Sequence, residues 1–116
     1  MCHVLIIEDE PLIALDLQAM LEAVGATSFD IAMTETEAVE AAQAHPPRVI
    51  TSDVTLLEGT GPAAVRTIIA EQDDVSVIFI TATPEACSGS DPRAVVLCKP
   101  LRQRSVVDSF KLLAKI

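Results

Sequence analysis

Four short apolar runs in this chain each end in residues that can take part in one reaction. Glu8 and Asp9 follow His3-Val4-Leu5-Ile6-Ile7, and Asp53 follows Arg48-Val49-Ile50-Thr51-Ser52. Thr81 follows the run 75–80, and Lys99-Pro100 follow the run 94–98. Carboxylates such as Glu8, Asp9 and Asp53 hold a hard divalent cation through oxygen. One of them, already anionic at pH 7, can serve as a covalent nucleophile toward phosphorus. A hydroxyl (Thr81) and an ammonium (Lys99) stabilise the oxygens of a group in transfer. The set is that of phosphoryl transfer. Taken singly, each residue has an ordinary use. Acids at strand ends cap helices, Thr81 is a good strand former, and a lysine is usually solvated. The order on four successive runs carries the reading.

These groups meet only if the runs are parallel strands of one sheet, whose carboxyl edge is where open α/β sheets bind ligands. The intervening segments fit that requirement. After the strand at 3–8, Pro11 stands where a first-turn proline is tolerated. Leu12, Leu15, Leu17, Met20, Leu21 and Val24 then recur at helical spacing up to Gly25. Ser28 to Met33 reads as a second strand. Thr34 and Glu37 form a T-x-x-E capping box for an Ala-rich helix over 35–44, which Pro46-Pro47 ends before the strand 48–52. A loop with Gly59 and Gly61 leads to a helix over 62–72, followed by strand 75–80. Residues 84–93 hold two prolines and Gly89, a poor composition for a full helix, so a fourth helix there is short or irregular. A strand at 94–98 and an amphipathic helix over 103–115 complete the chain. The alternation implies a parallel sheet wound by right-handed crossovers.

The bulk properties agree. The 116 residues fit one domain, half of them hydrophobic, with a mean hydropathy of +0.42. Aromatics make up only 3%, so the core must be aliphatic. The net charge of −9 disfavours nucleic acid and anionic membrane as partners. Three cysteines, Cys2, Cys87 and Cys98, offer neither CxxC spacing nor an even count. This argues for a reducing cytoplasm, with Cys98 a small buried hydrophobe. The first apolar run is too short for a signal or membrane span. His3 and His45 lack ligand-spaced neighbours in the sequence, and His45 before Pro46 reads as a surface residue at a helix end.

With this order and spacing the whole chain resembles the receiver domain of two-component response regulators. The resemblance implies a flavodoxin-like, doubly wound α/β fold of five βα units. Its five-stranded parallel sheet would have the order 2-1-3-4-5, with a ligand site at the switch point of the sheet. It implies that Asp53 accepts a phosphoryl group from a sensor histidine kinase or histidine phosphotransfer protein. Glu8, Asp9, Asp53 and the backbone carbonyl of Thr55 would hold Mg2+. Thr81 and Lys99 would contact the phosphoryl oxygens, a cis peptide would precede Pro100, and Gly61 matches a loop glycine of the family. The chain departs from the family at Val96, where an aromatic residue is common, and at Leu57, where a loop proline is usual. Only 17 residues separate Thr81 from Lys99, a shortening similar to that of receivers linked to alphaproteobacterial stress-response signalling.

The resemblance implies a phosphoacceptor and not an enzyme. It implies one receiver domain over 1–116 with no output domain, monomeric or pairing on phosphorylation. Its output would pass through a downstream protein or by draining phosphoryl groups from a kinase. The responsive surface would include Val95, Leu97 and the basic residues Arg102, Arg104, Lys111 and Lys115. Two other readings compete. One is a docking module in which phosphorylation is vestigial. The other is a phosphatase of the haloacid-dehalogenase type. The latter normally has a second Asp two residues after its nucleophile, where this chain has Thr55, and carries the nucleophile on its first strand.

Overall fold

Aliphatic runs that are buried on both faces make strands, and Ala- and Leu-rich segments between them make the covering helices. In the computed structural model of the chain, which describes residues 2–54, 56, 59–72, 74–81, 94–98 and 102–114, this division gives five strands and four helices. The elements are β1 (His3–Ile7), α1 (Pro11–Glu22), β2 (Ser28–Ala32), α2 (Glu35–Ala44) and β3 (Val49–Asp53). They continue with α3 (Gly61–Glu71), β4 (Ser76–Thr81), β5 (Ala94–Cys98) and α4 (Gln103–Ala114). The strands form one wholly parallel sheet in the order β2-β1-β3-β4-β5, the flavodoxin-like arrangement expected from the sequence. Residues 84–93, on which the expectation of a short fourth helix falls, lie outside the described residues.

The period of two along each strand divides the core into two layers. Leu5, Ile7, Ile50, Val77 and Phe79 face α2 and α3, meeting Ala38, Ala42, Ala64, Val65 and Ile68. Val4, Ile6, Val49, Ile78 and Ile80 face α1 and α4, meeting Ala14, Leu17, Leu21, Val106 and Phe110. The alanines let α2 lie close to the sheet. Cys2 is a free thiol buried in the second layer, and burial pushes its pKa up, which leaves it an inert hydrophobe.

Local signals placed most helix ends. Pro11 stands in the first turn of α1, and Gly25, at φ 117°, takes the left-handed conformation just beyond its end. The Thr34 hydroxyl accepts from the Glu37 N–H at 3.1 Å, as a capping box requires, but the Glu37 carboxylate reaches past Thr34 to the Met33 N–H at 2.8 Å. The extended backbone at Thr34 presents that earlier donor, so the reciprocal bond shifts by one residue. The sequence did not flag Thr60, whose hydroxyl caps α3 by accepting from Ala63 N–H at 3.2 Å. In α1 the apolar spacing overstates burial. Ala14, Leu17 and Leu21 form the inward stripe, whereas Leu12 and Leu15 are exposed, Leu12 at 78%. No helix among the described residues is long and apolar enough to cross a membrane.

Candidate functional site

Because all five strands run in one direction, their carboxyl ends share one edge. The winding reverses at β1: β2 lies on one side of it and β3 on the other. At such a switch point the loops diverge and leave a crevice above the strand ends. Ile7 is in register with Ser52, so Glu8 and Asp9 continue from β1 beside Asp53, the last residue of β3. Asp53 is in register with Ile80, which puts Thr81 next along β4.

The three acids predicted from the sequence are brought together: one ligand oxygen from each of Glu8, Asp9 and Asp53 lies within 4.8 Å of the others. Glu8 is 1% exposed, Asp53 8%, and Thr81 is also buried. Parity explains the convergence. Glu8 follows Val4 and Ile6, and Asp53 follows Val49 and Thr51, so both side chains leave the sheet on the α1 side. Backbone donors fix two of the carboxylates. Asp53 Oδ1 accepts from the Val54 N–H at 2.8 Å, and Glu8 Oε2 accepts from the Glu10 N–H at 3.1 Å. Placing several carboxylates in a largely buried crevice is unfavourable unless positive charge accompanies them. The donor set, all carboxylate oxygen, is that of a hard cation such as Mg2+ and not of a thiophilic metal. Thr55, Lys99 and Pro100, the remaining site residues expected from the sequence, lie outside the described residues. So does Leu57.

The loop after β3 is held against the acceptor strand by close backbone approach. Gly61 donates its N–H to the Val54 carbonyl at 3.0 Å. A Cβ on Gly61 would collide with the backbone carbonyl of Asp53 and with Ser52 Oγ, which itself donates to that carbonyl at 2.9 Å. Only glycine fits there. Gly61→Ala is therefore expected to lower stability by about 1–3 kcal/mol, the usual cost of overpacking. The loss is read as a lower urea midpoint at unchanged m-value, and an unchanged midpoint would mean that α3 yields at no cost. On the other side of the loop, Glu35 Oε1 accepts from the Thr60 N–H at 3.2 Å and ties the start of α2 to this loop.

Of the surface anticipated to respond, Val95 and Leu97 on β5 are half-buried, while Val96 between them, where the family often has an aromatic, is 37% exposed. Arg102, Arg104 and Lys111 are solvent-facing, with Arg104 Nε 3.9 Å from Asp108 on the same helix, while Lys115 lies outside the described residues. One grouping had no signal in local spacing. His3, Asp30 and His45, from β1, β2 and the end of α2, gather at the opposite end of the strands from the acidic crevice.

The family model described as "Response regulator receiver domain" matches residues 4–108. The chain is 40% identical over 107 residues to the phyllosphere-induced regulator PhyR of Methylorubrum extorquens. That match covers 90% of this chain, which spans only 40% of that protein's length. The solution structure of the PhyR response regulator REC domain of Erythrobacter litoralis superimposes with a TM-score of 0.88 at 34% identity, covering 99% of this chain and 91% of that one. The anti-anti-sigma factor PhyR of Bartonella quintana superimposes at 0.76 with 37% identity, covering 98% of this chain and 48% of the other.

Proposed function

The chain belongs to the response regulator receiver domain family, and from that premise we propose that it is a phosphoacceptor switch with Asp53 as the acceptor. The observation that carries this reading is the convergence of Glu8, Asp9 and Asp53 at the switch point of the sheet. A carboxylate oxygen of Asp53 attacks phosphorus, the bond from phosphorus to the donor breaks, and its electron pair leaves with the donor. For a phosphohistidine donor the broken bond is P–N and the leaving group is the imidazole of a sensor histidine kinase or phosphotransfer protein. The product is an aspartyl phosphate, and hydrolysis of that mixed anhydride returns Asp53 and inorganic phosphate.

Glu8, Asp9, Asp53 and the Thr55 carbonyl are the residues we assign to Mg2+. When bound, the ion offsets the repulsion between the acceptor carboxylate and the phosphoryl oxygens. Asp53 is oriented for attack by the Val54 N–H at Oδ1. The Thr81 hydroxyl and the Lys99 ammonium are assigned to the phosphoryl oxygens, where their partial and full positive charges favour the transferring group. The position two residues after Asp53, where a phosphatase of the haloacid-dehalogenase type carries its general acid, is Thr55, so we read the domain as an acceptor and not as a turnover enzyme.

Phosphorylation exchanges the single charge of the Asp53 carboxylate for a phosphoryl dianion, a net gain of about one negative charge together with three strong acceptors, which biases a two-state surface toward a protein partner. We propose a single receiver domain in a reducing cytoplasm that either signals to a downstream protein or drains phosphoryl groups from a kinase. The anti-anti-sigma activity named for a relative belongs to a chain about twice as long as the part matched here, and it extends to this protein only as a proposed setting for that output. Val96 in place of the family's usual aromatic supports a second reading, a receiver fold that only docks a partner.

The test is intact mass after incubation with acetyl phosphate and Mg2+. A gain of one phosphoryl group, about 80 Da, is expected, and chelation of the divalent ion should abolish it. No gain from acetyl phosphate or from a phosphohistidine donor would leave the docking module.

A further inference from the structure

We infer that His3, Asp30 and His45 form a second cation site, selective for a divalent d-block metal such as Zn2+ and independent of the acidic crevice. One ligand atom from each of the three residues lies within 4.8 Å of the others. Asp30 Oδ2 is the hub, 3.0 Å from His3 Nε2 and 3.1 Å from His45 Nδ1. Two imidazoles and one carboxylate are the donor set of three-ligand zinc sites that keep a position open for water. Tetrahedral zinc with bonds of about 2.0–2.1 Å sets neighbouring ligand atoms about 3.3 Å apart. The two spacings to Asp30 Oδ2 need to open by only a few tenths of an ångström for the metal to replace the bridging protons, and the two imidazole nitrogens already lie within 4.8 Å of one another.

The surroundings are already organised for such an ion. Ser28 Oγ lies 2.7 Å from His3 Nδ1 and holds the ring with Nε2 turned to Asp30. A metal-bound histidine wants such a partner on its other nitrogen, which fixes both tautomer and orientation. The rings of His3 and His45 stand 5.9 Å apart at 66°, edge to face and not stacked, so both nitrogens address the same carboxylate. His45 is the C-cap of α2, whose last turn has no basic residue, and the carbonyl end of a helix favours a cation. The cluster opens on a depression of about 420 Å3 lined also by Phe29 and Pro46, with room for water or a small ligand on the open coordination position.

Selectivity separates the two sites. Imidazole donors suit zinc, nickel, copper and cobalt, whereas Mg2+ takes oxygen and keeps its waters. The residues assigned to the metal in the acidic crevice offer oxygen alone. The position of the new site also gives it a mechanical role. It ties the end of α2 to the start of β1 and to the edge strand β2, two strands already paired in the sheet that α2 otherwise meets through the aliphatic layer.

The experiment is a titration of the full chain with Zn2+ in millimolar Mg2+, which occupies the oxygen site. Binding is followed by calorimetry and by the imidazole proton resonances, of which the chain's two histidines give a complete set. One equivalent of zinc should bind, with both histidines shifting together. Ser28→Ala should weaken it about 10–100-fold, as loss of an outer-shell partner does, and His45→Ala or Asp30→Asn should weaken it more. His45 is 68% exposed and Asn is near-isosteric with Asp, so both variants should fold, which far-UV circular dichroism verifies. Zinc that leaves both imidazoles unmoved, or equal affinity in His45→Ala, would overturn the assignment.

Discussion

Asp53→Asn is expected to lower phosphoryl labelling by acetyl phosphate at least about a thousandfold, as deletion of a covalent nucleophile does. The substitution is nearly isosteric. The side-chain carbonyl of Asn can still accept from the Val54 N–H that now reaches Asp53 Oδ1 at 2.8 Å, so the backbone at the end of β3 has no reason to move. What disappears is the anionic oxygen that attacks phosphorus, together with one carboxylate of the three that converge within 4.8 Å. Removing one of several like charges from a largely buried crevice relieves repulsion, so thermal stability without divalent ions should not fall. The pairing of lost labelling with retained stability is the diagnostic outcome. Equal labelling of Asp53→Asn would move the acceptor to another residue. Lost labelling accompanied by unfolding would leave its role undecided between chemistry and structure, and Asp53→Glu would then separate the two.

The largest effect on stability is expected at Phe110. Its side chain is fully buried on α4, among Val4, Ile6, Leu17, Ile78, Ile80 and Val106. Phe110 is one of only three phenylalanines in a chain without tyrosine or tryptophan, and of the two in this layer it is the fully buried one, Phe29 being only partly buried. Phe110→Ala should cost about 3–5 kcal/mol, the transfer of the ring plus the cavity it leaves among side chains that cannot collapse into it. That is a large share of the roughly 5–15 kcal/mol that holds a domain of this size together. The thermal midpoint should fall by about 10–20 °C. Leu112, on the same helix but 75% exposed, gives the control: its replacement by Ala should stay within about 0.5 kcal/mol. Far-UV circular dichroism is the suitable probe, since the chain lacks tryptophan. A Phe110→Ala midpoint close to that of Leu112→Ala would mean that α4 is not docked on the sheet as described.

The acidic crevice was legible in the sequence because its residues sit at the ends of strongly apolar runs. A run of aliphatic residues announces a buried strand, and parallel topology sends every strand end to one edge. That logic placed Glu8, Asp9, Asp53 and Thr81 without any knowledge of distances. The His3–Asp30–His45 cluster was not legible for the opposite reason. Its members come from a strand start, a mid-strand position and a helix end, and only the register of β1 on β2 and the length of α2 bring them together. Gly61 was visible as a spacing but not as a cause, since its reason is the carbonyl of Asp53 lying where a side chain would stand. Leu12 and Leu15 share the helical spacing yet face solvent, because periodicity counts apolar residues without knowing which stripe the sheet will accept. Thr60 escaped notice because its T-x-x-A pattern lacks the acid that makes a capping box stand out.

The wholly parallel sheet has one further consequence, for the order in which the chain becomes itself. No two strands here can pair through a tight turn, because every pairing, from His3 with Ser28 to Val77 with Ala94, spans an intervening crossover. Such non-local pairings are slow to form, since loop closure precedes any gain from contact. Of these five strands β1 is made before the others, yet it is flanked on both sides in the finished sheet and acquires β3 only after Asp53 has been synthesised. Glu8 and Asp53 therefore share no crevice in a nascent or half-folded chain, and a cation held by both would recognise only molecules whose central strands have already joined.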